Sequence, residues 1–223
     1  KFLSHINNGI ILMVPDFNHD QYASIKKKLE SYPIVSITPS NQPIFNTVTF
    51  DSYQGGKLAA QNLIQSGYTI FGHIAGPISK PEANLRRAGF VDEIKKNNFE
   101  IAFEYKGDHS FESGRLAFKT INENKYKNIG IFSSNDEMAM GFLSSAIEKN
   151  EFLLKSWGII GYDNMPSSKI FHPKLSSIDT NLDKLAELSI EKLTKIIQDS
   201  LRDNSVTTTL IPVNAIMRET HQS

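Results

Sequence analysis

Cysteine is absent from the 223 residues, which excludes disulfides, thiol nucleophiles and thiolate zinc sites. Net charge is absent too, because 24 Lys and Arg balance 24 Asp and Glu. A nucleic-acid surface needs a basic patch to neutralise phosphates, so this stretch is not expected to be one itself. No apolar run approaches the ~18 residues that cross a membrane; the longest candidate, Ile10 to Val14, falls far short. Internal repeats, low-complexity tracts and flexible Gly/Ser linkers are also lacking. The phosphate and dinucleotide fingerprints G-x-x-x-x-G-K-[ST] and G-x-G-x-x-G do not occur. Neither do the hydrolase patterns G-x-S-x-G and H-E-x-x-H. His5, His19, His73, His109, His172 and His221 are scattered without metal-ligand spacing. No catalytic residue, metal or cofactor is therefore expected. With 24 acids, a glycosidase-like carboxylate pair stays open on counting alone.

What is present is ordinary globular material, with 39% hydrophobic and 22% charged residues. Short apolar runs alternate with longer helical stretches. Strands are predicted at 9–14, 33–37, 47–50, 70–75, 102–105, 128–133 and 157–162, several apolar on both faces as in a parallel sheet covered by helices. The residues from Lys1 read as a helix tail running into the first strand, so the chain is taken as a fragment. Ser52 or Asp51 can cap a helix that stops at Gly67. Phe111, Gly114, Phe118 and Ile121 share a face after Ser110, and Leu182, Leu185, Ala186, Leu193 and Ile196 do so after Thr180 or Asn181. Repeated strand–helix–strand order implies right-handed crossovers and an α/β fold of two doubly wound parallel-sheet lobes. Weak seams at Gln65–Tyr68 and Ser176–Asn181 place residues 1–66 and 181–208 in an N-terminal lobe, and 67–180 with 209–223 in a C-terminal lobe.

Ligands of open α/β sheets bind beyond the carboxyl ends of the strands. That rule selects Asn135 and Asp136 after one strand, and Asp163 and Asn164 after another. It selects Arg86 beyond Gly76-Pro77, and His109 after Gly107-Asp108. Carboxylates accept from adjacent hydroxyls, an Arg fork donates to two oxygens, and an amide does both, so the set suits a polyhydroxylated ligand. Each has a plainer role: Asp136 and Asp51 can cap helices, Asp163 can hold a turn, and one of Arg86 and Arg87 faces solvent.

Five segments in register, from about Asn8 to Thr220, resemble one family. Val48, Asp51, Gly55, Gly56 and Ala59 fit V-x-x-D-x-x-x-G-G-x-x-A. Ile74, Gly76 and Pro77, followed by Arg86, Gly89 and Phe90, fit I-x-G-P…R-x-x-G-F. Phe132, Asn135, Asp136, Met138, Ala139 and Gly141 fit F-x-x-N-D-x-M-A-x-G. Ile159, Gly161, Tyr162 and Asp163, then Pro173, Leu175 and Ile178, fit I-x-G-Y-D…P-x-L-T-T-I. The stretch 211–220 is similar to the closing strand. Together they resemble the lactose/galactose-repressor family of transcription regulators.

The resemblance implies a class I periplasmic-binding-protein-like fold, two lobes joined by three crossovers, with an effector in the cleft. It makes the effector a sugar, a sugar phosphate or, with less weight, a purine. It carries the principal polar contacts to Arg86, Asn135 and Asp163, and weaker ones to Tyr53, Gln54, Glu82 and Thr180. His109 departs from the aromatic that relatives often stack on the ligand, and Asn164 replaces a second acid not expected to matter for binding. It also implies a cytoplasmic homodimer that reaches operator DNA through an N-terminal headpiece. The headpiece and a first strand–helix unit would precede Lys1, and lack of that unit would leave a sheet edge uncovered. A secreted sugar-binding receptor of a transporter is the alternative, and an enzyme acting on a sugar a distant third.

Overall fold

A computed structural model describes residues 8–30, 32–40, 42–121, 126–149, 156–198 and 205–221. The helix tail expected from Lys1, and His5 with it, lies outside them. In chain order the elements are β1 (Ile10–Leu12), α1 (His19–Leu29), β2 (Ile34–Ser36), β3 (Asn46–Phe50), α2 (Ser52–Gln65), β4 (Ile70–Ala75), α3 (Pro81–Lys96) and β5 (Ile101–Lys106). There follow α4 (Phe111–Thr120), β6 (Ile129–Ser133), α5 (Asp136–Lys149), β7 (Gly158–Asp163), α6 (Pro166–Ile170), β8 (Ser176–Asp179), α7 (Leu182–Gln198), β9 (Thr208–Ile211) and β10 (Asn214–Ile216). They form two compact units: residues 1–50 with 181–211, and residues 51–180 with 212–223.

The first unit is a parallel sheet in the order β1-β2-β3-β9. Tyr22 of α1 packs with Ile34 and Phe45. Leu185, Leu188, Leu193 and Ile196 of α7 pack with Val35, Val48 and Ile211. Adjacent strand residues point to opposite faces, which is how Ile34 and Val35 serve separate cores. A capping box starts α1: Asn18 Oδ1 accepts from the Gln21 amide at 2.9 Å, and Gln21 Oε1 accepts from the Asn18 amide. Strand β1 is an edge, with Ile11 40% exposed.

The second unit carries the sheet β10-β8-β7-β6-β4-β5, parallel except for β10. Ile129 and Ile131 of β6 join the core with α4 and α5. The next residue, Phe132, points the other way, stacking on His73 and meeting Phe90 of α3. Helices pack in close pairs because glycines let backbones touch. A Cβ on Gly56 of α2 would lie 2.0 Å from the Arg86 carbonyl oxygen of α3, and one on Gly114 of α4 would lie 2.0 Å from that of Met138 on α5. This packing of α2 on α3 puts α2 in the second unit. The sequence reading had placed it in the first, with the boundary at 66/67 instead of 50/51.

Local ends follow the sequence with two adjustments. Asp51, not Ser52, caps α2, accepting from the Gln54 amide at 2.9 Å. Gly67 takes φ +86° just past the helix end, where a side chain is strained. Ser110 caps α4, and Asn181 accepts from the Lys184 amide at the start of α7. The seam expected at 176–181 holds the unit boundary at 180/181, and it also contains strand β8, buried along most of its length.

Candidate ligand site

Chain order in the second unit steps from β4 outward to β5, then returns to β6 and continues through β7 and β8. The switch point lies between β4 and β6, the place where open α/β sheets bind ligands at the carboxyl ends of their strands. Arg86 reaches this point from the second turn of α3. Its Nη1 donates to the Ser134 carbonyl just past β6 at 2.6 Å, and its Nη2 stands 3.6 Å from Asp163 Oδ1 at the end of β7. The guanidinium lies 3.7 Å from the ring centre of Tyr162, a stacked cation–π contact. Arg87, its neighbour, turns outward to Glu104 at 2.8 Å.

Two residues here hold backbone conformations that side chains seldom adopt. Asp163 has φ +108° and His109 has φ +73°. Such strain persists only where surrounding structure enforces it, and it gathers at binding sites. His109 is seated against the bare Cα of Gly76, where a Cβ would come within 2.1 Å of Nε2. Asn135 fastens that loop, its Nδ2 donating to the His109 carbonyl at 2.8 Å while its Oδ1 accepts from the Met138 amide at 3.0 Å. Asn135 is thus the cap of α5.

Glu82 lies one helical turn before Arg86, on the same face of α3. Thr180 is buried, with its hydroxyl 3.4 Å from the Asp163 carbonyl. Tyr53 and Gln54 are not drawn into this group by any hydrogen bond among the described residues. Tyr53 donates its hydroxyl to Asp92 at 3.0 Å, and Gln54 contributes its amide to the Asp51 cap.

Burial pushes the Asp163 carboxyl up to about 6; Arg86 opposes the rise, while Asp136 and Glu82 add to it. Burial, reinforced by Arg86 and Lys80 against Asp108, holds the His109 imidazole down at about 4, so it is neutral near pH 7. The site therefore offers a cationic fork, carboxylates, an amide and an uncharged imidazole. Arg86 Nε, Glu82 Oε2, His109 Nε2 and Ser134 Oγ are buried without a hydrogen-bond partner. Orphaned polar atoms each cost about 1–3 kcal/mol, so their gathering at one sheet edge marks a place built to meet polar groups.

Asp136 does neither job that sequence allowed it. Fully buried, it accepts from the Ser177 hydroxyl at 2.6 Å, the Ser168 hydroxyl at 2.6 Å and the Met165 amide at 2.8 Å, binding β8 and α6 to α5. Asn164 is structural as well, donating to Asp179 and accepting from Arg218. Sequence reasoning missed Tyr162 as the platform under Arg86 and Gly76 as the seat of His109; both stood inside quoted motifs, which was the available signal. A Ser–His contact, Ser176 Oγ to His221 Nδ1 at 3.1 Å, sits at the amino end of β8, where that hydroxyl also accepts from the Arg218 amide. Among the described residues, no group of three or more His, Asp or Glu could hold a metal ion, and no helix is long and apolar enough to cross a membrane.

A family model described as periplasmic binding protein-like domain matches residues 60–221. The chain belongs to this family. Within it, the chain is 28% identical to the HTH-type transcriptional repressor PurR of Mannheimia succiniciproducens over 83% of its own length and 56% of the repressor's. It is 26% identical to the lactose operon repressor of Escherichia coli over 96% of its length and 58% of that protein's. The chain thus spans little more than half the length of these relatives. The crystal structure of the lac repressor dimer bound to operator and the anti-inducer ONPF superposes with a TM-score of 0.87 at 23% identity, covering 99% of this chain and 66% of that one. These likenesses bear out the family resemblance read from the five segments and the two-lobed α/β fold it implied.

Proposed function

We propose that this chain is the effector-sensing core of a bacterial transcription repressor, and that it binds a sugar-like molecule at the carboxyl edge of the six-stranded sheet. The single observation that carries this is the meeting of Arg86 and Asp163 at the switch point, beside buried polar atoms that have no partner. Arg86, Asn135 and Asp163 are the principal contacts, with His109, Glu82 and Thr180 beside them and Tyr53 and Gln54 further out. The spare donors and acceptors suit hydroxyl groups, which can serve as both. That the relatives are transcription repressors supports reading the molecule as a ligand rather than a substrate.

The two repressors named above, and the lac repressor dimer bound to operator, support the wider role of a DNA-binding headpiece outside this chain and a homodimer; a cytoplasmic location goes with that reading. They favour a repressor over a secreted transport receptor of the same fold. Effector and operator binding are then linked, each changing the other's affinity by the same factor, typically 5–150-fold in allosteric proteins. The test is calorimetry on the intact protein with and without operator DNA, after a thermal-shift screen of sugars, sugar phosphates and purines. Equal effector affinity in both titrations would overturn the allosteric role, and absence of any stabilising compound would overturn the sensor role.

A further inference from the structure

We propose that Glu82 sets the ligand class of this site, excluding phosphorylated ligands and selecting an uncharged polyol whose hydroxyls donate to the Glu82 and Asp163 carboxylates. The proposal rests on the ligand site described above and narrows it. The first ground is geometric. Glu82 and Arg86 share a face of α3, and Glu82 Oε2 is buried with no hydrogen-bond partner. A buried carboxylate oxygen demands a donor, which a hydroxyl supplies and a phosphate, rich in acceptors, does not.

The second ground is the state of the guanidinium. A phosphate is held best by a free Arg fork giving two parallel bonds. Arg86 already gives one Nη1 proton to Ser134 and lies on Tyr162, and the Asp163 carboxylate stands 3.6 Å from Nη2, so a phosphate on the open Nε–Nη2 edge would sit beside a resident carboxylate. A third ground is the start of α3. Helix N-termini ordinarily attract anions through free N–H groups and the helix dipole. Here Pro81 takes the first position and brings no N–H, and Glu82 follows as a resident anion in the first turn. The charges about the site count against an anion as well. Arg86 and Lys80 are outnumbered by Asp163, Glu82 and Asp108, and His109 is neutral near pH 7.

The experiment uses the intact protein and paired probes: free hexoses, pentoses and disaccharides, each beside its phosphate, with inorganic phosphate as the bare anion. Thermal shift ranks them and calorimetry measures affinity. The expected result is that a free sugar binds at least tenfold more tightly than its phosphate, and that Glu82→Gln narrows this gap at least threefold. A wild-type preference for the phosphate, lost in Arg86→Ala, overturns the charge selection while leaving the ligand site standing. An unchanged gap in a folded Glu82→Gln protein also overturns it. Should that variant not fold, the wild-type pairs decide alone. If no probe binds, the site itself falls and the selection with it.

Discussion

Asn135 and His109 are joined by a hydrogen bond of 2.8 Å from the Asn135 amide nitrogen to the His109 carbonyl, so the cap of α5 also fixes the loop after β5. One side chain thereby aligns two strand ends on either side of β4. Asn135→Asp keeps the capping acceptor for the Met138 amide and turns the donor into an oxygen facing an oxygen. It should cost about 1–3 kcal/mol of stability. Chemical unfolding of both proteins measures the cost, and equal midpoints would show that the bond does not hold the loop.

Arg86 and Asp163 carry the next expectation. Arg86→Ala removes the donor to Ser134 and leaves the Asp163 carboxylate without its cation, while Asp163→Asn removes the charge and keeps the shape. Each should weaken effector binding by about 1–3 kcal/mol, roughly 5- to 150-fold. Arg86→Ala should also push the Asp163 carboxyl still higher, since Arg86 is the group opposing its rise. Calorimetry and carboxyl titration by NMR read the two effects. Undiminished binding in both variants would remove the pair from the pocket.

The parts of this molecule legible in sequence are those with a local signal. Strands β1 to β7 lie within about two residues of their expected places because apolar runs bounded by turns mark them. Strand β8 passed for a linker because Ser176 and Ser177 look like loop residues. They are buried, and their partners, Thr220 and Asp136, lie 44 and 41 residues away, beyond any local pattern. The placement of α2 depended on the same kind of distant contact, between Gly56 and the backbone of α3. At the candidate site, the strand-end rule selected Arg86, Asn135 and Asp163, which the fold brings to one sheet edge, but the platform under Arg86 and the seat of His109 are packing relations that exist only in the fold.

Two glycines separate close approach from backbone freedom. Gly114→Ala would put a Cβ 2.0 Å from the Met138 carbonyl oxygen, so α4 and α5 must move apart. Gly67→Ala meets nothing within 4 Å and suffers only from φ +86°. Overpacking costs about 1–3 kcal/mol or more, against roughly 1–2 kcal/mol for a side chain in the left-handed region. Gly114→Ala should therefore be the more destabilised in thermal unfolding, and the reverse order would contradict the tight crossing of α4 on α5.

Acid should weaken the second unit, and His73 should be the main reason. Its ring is fully buried on Phe132, with Nδ1 hydrogen-bonded to the Phe132 carbonyl at 2.9 Å, and burial lowers its pKa from 6.5 to about 4. Glu104 and Arg87, themselves paired, act on it with opposite signs. Between those values the unfolded chain takes a proton that the folded ring refuses. The stability is complete above about pH 6.5 and is lost as pH falls towards 4, by up to about 3 kcal/mol. His109 acts in the same sense. Asp163, raised to about 6 from 3.8, acts in the opposite one, since its folded form holds a proton that the unfolded chain has released. That side chain is 36% exposed, so solvent screens its contribution and the histidines prevail. His73→Phe should lower stability at pH 7 through loss of the Phe132 bond, yet flatten the decline between pH 6.5 and 4. Urea unfolding across that range tests it, and parallel profiles for the two proteins would mean that His73 is not the group being protonated.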